Sequence, residues 1–296
     1  MGTEARLERY ADADRWPSGE SLAAMLACQA GAIAAVGDAL PELARAVDAA
    51  AGRLGGRGRL VYAGAGTSGR LAAQEGAELH PTFGWPHGRV RCLVAGGPAA
   101  LAGPVEGAED DDAAGAREAL AQALGPADVM LAVAASGATP YTRAAQAAAR
   151  RAGALTVALA NNPGAPLLAE AEIPILLRTG PEFLAGSTRL AAGTAQKVAL
   201  NLFSTQLMIR LGRVYRGYMV GLVPTSAKLL RRARRIVGEI AACPPEAAAA
   251  ALEAAGRDVR LAVLLADGLP RPEAEARLRA ACGDLRRARA SGGAGG

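Results

Sequence analysis

Aromatic side chains make up only 3% of the 296 residues, and histidine occurs just twice, at His80 and His87. The four cysteines (Cys28, Cys92, Cys243, Cys282) are scattered, with no Cys-x-x-Cys spacing. Ligands this few and this far apart speak against a zinc site, and no metal is expected. No secretory leader and no membrane-length apolar run is evident, so a reducing cytoplasm and no membrane partner are expected. Lysine is scarce as well: arginine supplies nearly all of the 33 basic residues, and 28 acidic ones leave a net charge of +5. That excess forms no basic tract with interleaved aromatics, which argues against nucleic acid. The run Arg231-Arg232-Ala233-Arg234-Arg235 reads as the solvated face of a helix.

Apolar residues fill 51% of the chain, and alanine accounts for much of that share. Helices of small side chains, packed closely, follow from such a composition. The most informative stretch is Gly58 to Pro86. Arg59-Leu60-Val61-Tyr62-Ala63 reads as a buried strand, glycines follow at 64, 66 and 69 around Thr67 and Ser68, and residues 68–79 read as a helix stopped by Pro81. A strand, a glycine turn with hydroxyls and a helix N-terminus form an anion site. The glycines let backbone approach the ligand, and free N–H groups favour phosphate. The spacing fits G-x-G-x-x-G, yet no acidic residue ends a second strand where a dinucleotide ribose would need it. Gly66, Thr67 and Ser68 suit a compact phosphate monoester better.

Strand candidates recur at 59–63, 90–95, 128–134, 154–160 and 172–177, separated by helical stretches at 68–79, 112–124, 139–152 and 163–170. Strict alternation predicts an α/β fold: a doubly wound parallel five-stranded sheet flanked by helices. An Ala/Leu-rich N-terminal helical arm is expected over 1–54 and the phosphate-binding α/β domain over 55–222, with a long helix at 187–211. A small C-terminal helical bundle follows over 223–290, with turns at Cys243-Pro244-Pro245 and Gly268-Leu269-Pro270, and a disordered tail at 291–296. The arm and the long helix offer more apolar surface than one sheet face can bury, which predicts a homodimer.

The third strand ends in Ala135-Ser136-Gly137-Ala138-Thr139-Pro140, a second glycine-and-hydroxyl turn opening a helix. Ligands of doubly wound sheets bind beyond the carboxyl ends of the strands, so loops 64–69 and 135–139 should clamp one phosphate. The plainer reading makes Ser136 and Thr139 helix caps. In Glu106-Gly107-Ala108-Glu109-Asp110-Asp111-Asp112, a solvated helix N-terminus accounts for Asp110 to Asp112. It accounts less well for Glu109, which closes a Gly-Ala turn and is a candidate site residue. His80 reads as a polar surface residue.

The stretches GRLVYAGAGTSGR, AELHPTFGWP, AGGPAAL, VEGAEDD, AASGATPYT, ANNPGAPL, TGPEFLAGSTRLAAGTAQKVALNLFST and LGRVYRGYMV closely resemble the N-acetylmuramic acid 6-phosphate etherases of the sugar-isomerase (SIS) superfamily. The resemblance runs from the arm to about Lys228. It implies hydrolytic removal of the D-lactyl ether of the substrate, a cytoplasmic homodimer, a role in cell-wall recycling and no cofactor. By motif position Glu78 matches the family's proton donor and Glu109 its second glutamate. Ser187 and Lys228 join Gly66, Thr67, Ser68, Ser136, Gly137 and Thr139 as substrate-binding positions. Three positions depart from the family pattern: Ala191 stands for a usual Lys, Gly221 for Asp and Ser226 for Asn.

The implied chemistry suits two carboxylates, one as base at C2 of the open-chain sugar and one as acid for the lactate leaving C3. Along a straight helix Glu78 lies roughly 15 Å from Ser68, so the helix bends or Glu78 serves a neighbouring subunit. Two other classes share these loops, a sugar-phosphate aldose–ketose isomerase and a non-catalytic phosphosugar-sensing regulator.

Overall fold

The computed structural model describes residues 2–291. Of the tail expected at 291–296, all but Ser291 lies outside the described residues. Contacts divide the chain into two compact units, Met1–Gly76 with Gly88–Ser204, and Ala77–His87 with Thr205–Gly296. The boundary expected after residue 222 falls inside the second unit.

In the first unit two single helical turns (Glu8–Tyr10, Ala13–Arg15) precede α1 (Ser18–Asp38) and α2 (Leu40–Leu54). Strands and helices then alternate: β1 (Leu60–Gly64), α3 (Gly66–Phe83), β2 (Val90–Val94), α4 (Ala99–Ala102), α5 (Asp112–Ala121), β3 (Val129–Val133) and α6 (Pro140–Arg151). β4 (Leu155–Ala160), α7 (Pro166–Ala169), β5 (Ile173–Leu176) and α8 (Ala191–Arg210) complete the series. All five strands are parallel, in the order β2-β1-β3-β4-β5. Every residue of β1, β3 and β4 is buried, as helices on both faces require.

Val61, Ala63 and Met130 pack against Ala119 of α5 and Ala145, Ala148 and Ala149 of α6. Helix α2 packs on β3, β4 and β5 and buries Ala46, Val47 and Ala50. Small side chains are what permit this closeness. A Cβ on Gly115 of α5 would come within 2.1 Å of the Tyr141 carbonyl oxygen on α6. At the start of the central strands the Asp128 carboxylate takes Nε and a terminal nitrogen of Arg59, and the backbone N–H groups of Arg59 and Gly125. Burial alone would raise the Asp128 pKa, but these hydrogen bonds hold it below the usual carboxylate value.

Two expectations are corrected here. The helix placed at 68–79 runs from Gly66 to Phe83, with Pro81 inside it. Proline forfeits one N–H bond near the end, and the true stop is Gly84 in the left-handed region (φ 61°). The N–H of Gly84 bonds the His80 carbonyl and that of Trp85 the Leu79 carbonyl, which closes the helix. The second correction concerns α1. Its alanines and larger aliphatic side chains give a mean hydropathy of 1.4 over 18 residues, so by length and composition it could cross a membrane. Only 17% of that window is buried in the structure.

The second unit holds a hairpin of β6 (Val214–Tyr215) and β7 (Tyr218–Met219), turned by Arg216 (φ 48°) and Gly217 (φ 81°). It also holds α9 (Ala227–Ala241), α10 (Pro245–Ala254), α11 (Val259–Ala266), α12 (Arg271–Ala280) and α13 (Leu285–Ala290). Ile236, Val237 and Ile240 of α9 share a core with Leu252 of α10 and Leu261 to Leu264 of α11. The Pro-rich and Gly-Leu-Pro turns fall between α9 and α10 and between α11 and α12, as expected.

Candidate active site

The sheet order reverses between β1 and β3, because the chain leaves β1 toward β2 on one side and builds β3 to β5 on the other. Such a switch point opens a crevice at the carboxyl ends of the two strands. A cavity of about 380 Å³ lies there, with Gly66, Thr67, Ser68, Ser136, Thr139 and Glu109 among the residues around it. The two loops expected to clamp one anion therefore do face one space.

Each glycine of the first loop has its own task. A Cβ on Gly64 would press on Gly69 at 3.0 Å, and one on Gly69 would meet the Gly64 carbonyl oxygen at 2.8 Å. These two let the strand fold back directly onto the helix. Gly66 takes a left-handed turn (φ 53°). The turn starts α3 with its free N–H groups at the cavity and leaves Ser68 buried beside it. Arg70 donates to the carbonyls of Ala100 and Gly103, tying down the loop on that side. Among the described residues no lysine or arginine lines the cavity. An anion there would be met by backbone N–H groups, hydroxyls and the positive end of α3.

In the second loop the hydroxyl of Ser136 accepts the Ala138 N–H at 3.1 Å, a local turn that leaves its own proton to give. Thr139 sits at the N-cap position of α6 but makes no capping bond, so its hydroxyl is not consumed as a cap. Gly137 (φ 66°) is not at the cavity. A Cβ there would meet that of Ala165 at 2.4 Å, so this glycine makes the loop and packs against the β4–α7 connection.

Glu109 stands exposed on a single turn, Ala108–Asp110, set by the left-handed Gly107 (φ 70°). It makes no hydrogen bond or ion pair among the described residues. Asp111 behaves as the plainer reading requires: its side chain accepts the Ala114 N–H at 2.7 Å and caps α5. Ser187 is off the cavity, and its neighbour Thr188 takes that place. Glu182 is fully buried, and its carboxylate accepts the N–H groups of Ala191 and Ala192, fixing the start of α8. Glu78 and Lys228 are exposed and belong to the second unit, Glu78 near the end of α3 and Lys228 in the first turn of α9. His80 is not a free surface side chain. It stacks on His87 at 3.7 Å, with Nδ1 3.0 Å from the Trp85 carbonyl oxygen.

No motif or spacing pointed to Glu4, Asp110 or Thr188, which also line the cavity. Among the described residues no group of three or more His, Cys, Asp and Glu side chains is placed to hold a metal ion. The three departures from the family pattern acquire physical reasons. Ser226 accepts the Leu229 N–H and caps α9, a task asparagine does equally well. A Cβ on Gly221 would lie 2.1 Å from the Phe83 carbonyl oxygen, so aspartate there would need a different backbone. Ala191 is buried, and its N–H is bound by Glu182.

A parallel sheet in this order, with hydroxyl-bearing loops at its switch point, is the arrangement of a SIS domain. Comparison agrees: the SIS domain family matches residues 108–206, and the glucokinase regulatory protein N-terminal SIS domain family matches residues 42–149. A Bacteroides fragilis protein described as a candidate phosphosugar isomerase involved in capsule formation superposes with a TM-score of 0.53 at 20% identity. It covers 70% of this chain and 98% of that one. The N-acetylmuramic acid 6-phosphate etherase of Deinococcus radiodurans is 52% identical over 278 residues, 94% of this chain and 91% of that protein. The one from Rubrobacter xylanophilus is 45% identical over 98% of this chain and 96% of its own length. The chain belongs to the N-acetylmuramic acid 6-phosphate etherase family.

Proposed function

We propose that the protein cleaves the D-lactyl ether of N-acetylmuramic acid 6-phosphate, giving N-acetylglucosamine 6-phosphate and D-lactate in amino-sugar recycling from peptidoglycan. One observation carries most weight: two hydroxyl-bearing loops and Glu109 surround one cavity at the switch point of the sheet. The names of relatives up to 52% identical support the same reading.

In this reading the phosphate sits against the α3 N-terminus and receives hydrogen bonds from Thr67, Ser68, Ser136 and Thr139. Gly66 and Gly137 shape the loops, and Ser187 and Lys228 complete substrate binding by resemblance. In the open-chain sugar the C2 proton is acidic because it adjoins the C1 aldehyde. Glu109 removes it, the C3–O bond breaks, and Glu78 protonates the departing lactate. Water then adds to the unsaturated aldehyde at C3, and a proton returns to C2, so the net change is hydrolysis. The chain works without metal or redox cofactor, as a homodimer in the cytoplasm, where its four cysteines stay unpaired.

Incubating the pure protein with N-acetylmuramic acid 6-phosphate should release equal amounts of D-lactate and N-acetylglucosamine 6-phosphate. Saturable binding of the sugar phosphate without lactate would replace this reading with a phosphosugar sensor, a reading favoured only by the match to the glucokinase regulatory protein domain.

A further inference from the structure

The residues ahead of α1 form only two single helical turns, yet they are built into the fold. Thr3 is fully buried. Its N–H donates to Asn162 Oδ1 at 2.9 Å, Asn162 Nδ2 donates back to its hydroxyl at 3.0 Å, and its carbonyl accepts the Gly186 N–H at 3.1 Å. Further along, the Tyr10 ring lies 4.7 Å from that of Phe183, and Trp16 joins the same cluster. The N-terminal segment is thus strapped at two points to the loop that runs from Phe183 to Thr188.

That strap delivers Glu4 to the cavity that holds Ser68, Ser136 and Glu109. The carboxylate rests against Gly186 (φ 74°), where a Cβ would lie 2.7 Å from Oε2. Glu4 makes no hydrogen bond or ion pair among the described residues, so its lone pairs are free to accept. A phosphate dianion offers it nothing but repulsion, since both carry negative charge and neither donates. The sugar portion offers hydroxyl and amide N–H donors.

We infer that Glu4 is a specificity-determining residue that accepts a hydrogen bond from the sugar portion of a bound sugar phosphate. The inference rests on the reading of this cavity as a phosphosugar site. It goes beyond that reading by assigning a third carboxylate, carried on the N-terminal strap, to selection of sugar over bare phosphate. Glu4 has no part in holding the phosphate itself.

Calorimetric titration of the full-length protein and its Glu4→Ala and Glu4→Gln variants would test this, with N-acetylglucosamine 6-phosphate and inorganic phosphate as separate ligands. Loss of a hydrogen bond to a charged acceptor should weaken the sugar phosphate by about tenfold or more in Glu4→Ala. Inorganic phosphate should bind that variant as well as wild type or better, because a repulsive charge is gone. Glu4→Gln keeps an acceptor oxygen and should recover part of the loss. Equal affinities for the sugar phosphate in wild type and Glu4→Ala would overturn the inference, and so would an equal loss for both ligands, which marks a structural role. Wild type that binds inorganic phosphate but no sugar phosphate would overturn both the inference and the site reading. Wild type that shows the Glu4-dependent preference yet releases no lactate would overturn only the proposed reaction.

Discussion

Glu109 is placed by its surroundings: Gly107 sets the turn, Asp111 caps the helix that follows, and the carboxylate has no partner among the described residues. A group so placed suits proton transfer, and Glu78, in the other unit, is assigned the opposite role. In the proposed mechanism the two glutamates act on different bonds, so their losses should be distinguishable. Glu78→Gln cannot protonate the departing alkoxide, and general acid catalysis contributes about 10²–10⁴-fold, so lactate release should fall by that order. It should still exchange the C2 hydrogen of N-acetylglucosamine 6-phosphate with deuterated water. Glu109→Gln should lose exchange and release together. NMR of C2 in deuterium oxide, beside a lactate assay, reads both, and the opposite pattern would reverse the roles. At the phosphate end, Ser68→Ala removes a hydroxyl facing a charged group and should weaken sugar-phosphate binding by about 1.5–3 kcal/mol. Titration showing unchanged affinity would remove Ser68 from the clamp.

Elements with a strong period were legible in the sequence, and so were the two glycine-and-hydroxyl loops that face the switch-point cavity. The three central strands were readable because full burial makes them continuous apolar runs, and both loops because glycine and hydroxyl residues interrupt those runs. The end of α3 was misread because a proline near a helix C-terminus costs only one hydrogen bond, whereas Gly84 supplies the geometry that stops the helix. The strap was missed because its order comes from tertiary hydrogen bonds at Thr3, which leave no periodicity. One signal was available: Tyr10 and Trp16 fall within sixteen residues of a chain that is only 3% aromatic. The alignment of the central strands can be tested at Asp128, which joins the start of β1 to β3 through Arg59. Asp128→Ala leaves Arg59 and two backbone N–H groups without their acceptor, and breaking a buried pair costs about 3–5 kcal/mol. Because the Asp128 pKa is held below its ordinary value, the contribution is complete above the ordinary carboxylate range and is lost as pH falls through the folded value. Urea midpoints should therefore separate wild type from the variant widely at pH 7, with the gap narrowing in acid.

For the molecule as a whole, the open question is what covers α1. Leu22, Leu26 and Ile33 are 62%, 70% and 50% exposed. Spacings of four and seven put them along one side of the helix, while Ala32, Ala35 and Val36 are buried on another. A helix spanning lipid would expose apolar side chains all round, whereas a single apolar stripe beside a buried face is the seam expected of a helix meeting another helix. The proposed homodimer supplies that partner, since each copy brings the same stripe and a two-fold axis can pair them. Each large side chain removed from water stabilises the pair by about 1.5–3 kcal/mol. Sedimentation at micromolar concentration should therefore give a dimer. Leu26→Arg introduces a charge at the most exposed point of the stripe and should shift the protein to monomer without unfolding it, because Leu26 packs little within its own chain. Circular dichroism checks the fold, and flotation with neutral lipid vesicles checks the alternative, in which wild type would rise with the lipid. A wild-type monomer, or a Leu26→Arg variant that remains fully dimeric, would rule out α1 as the seam.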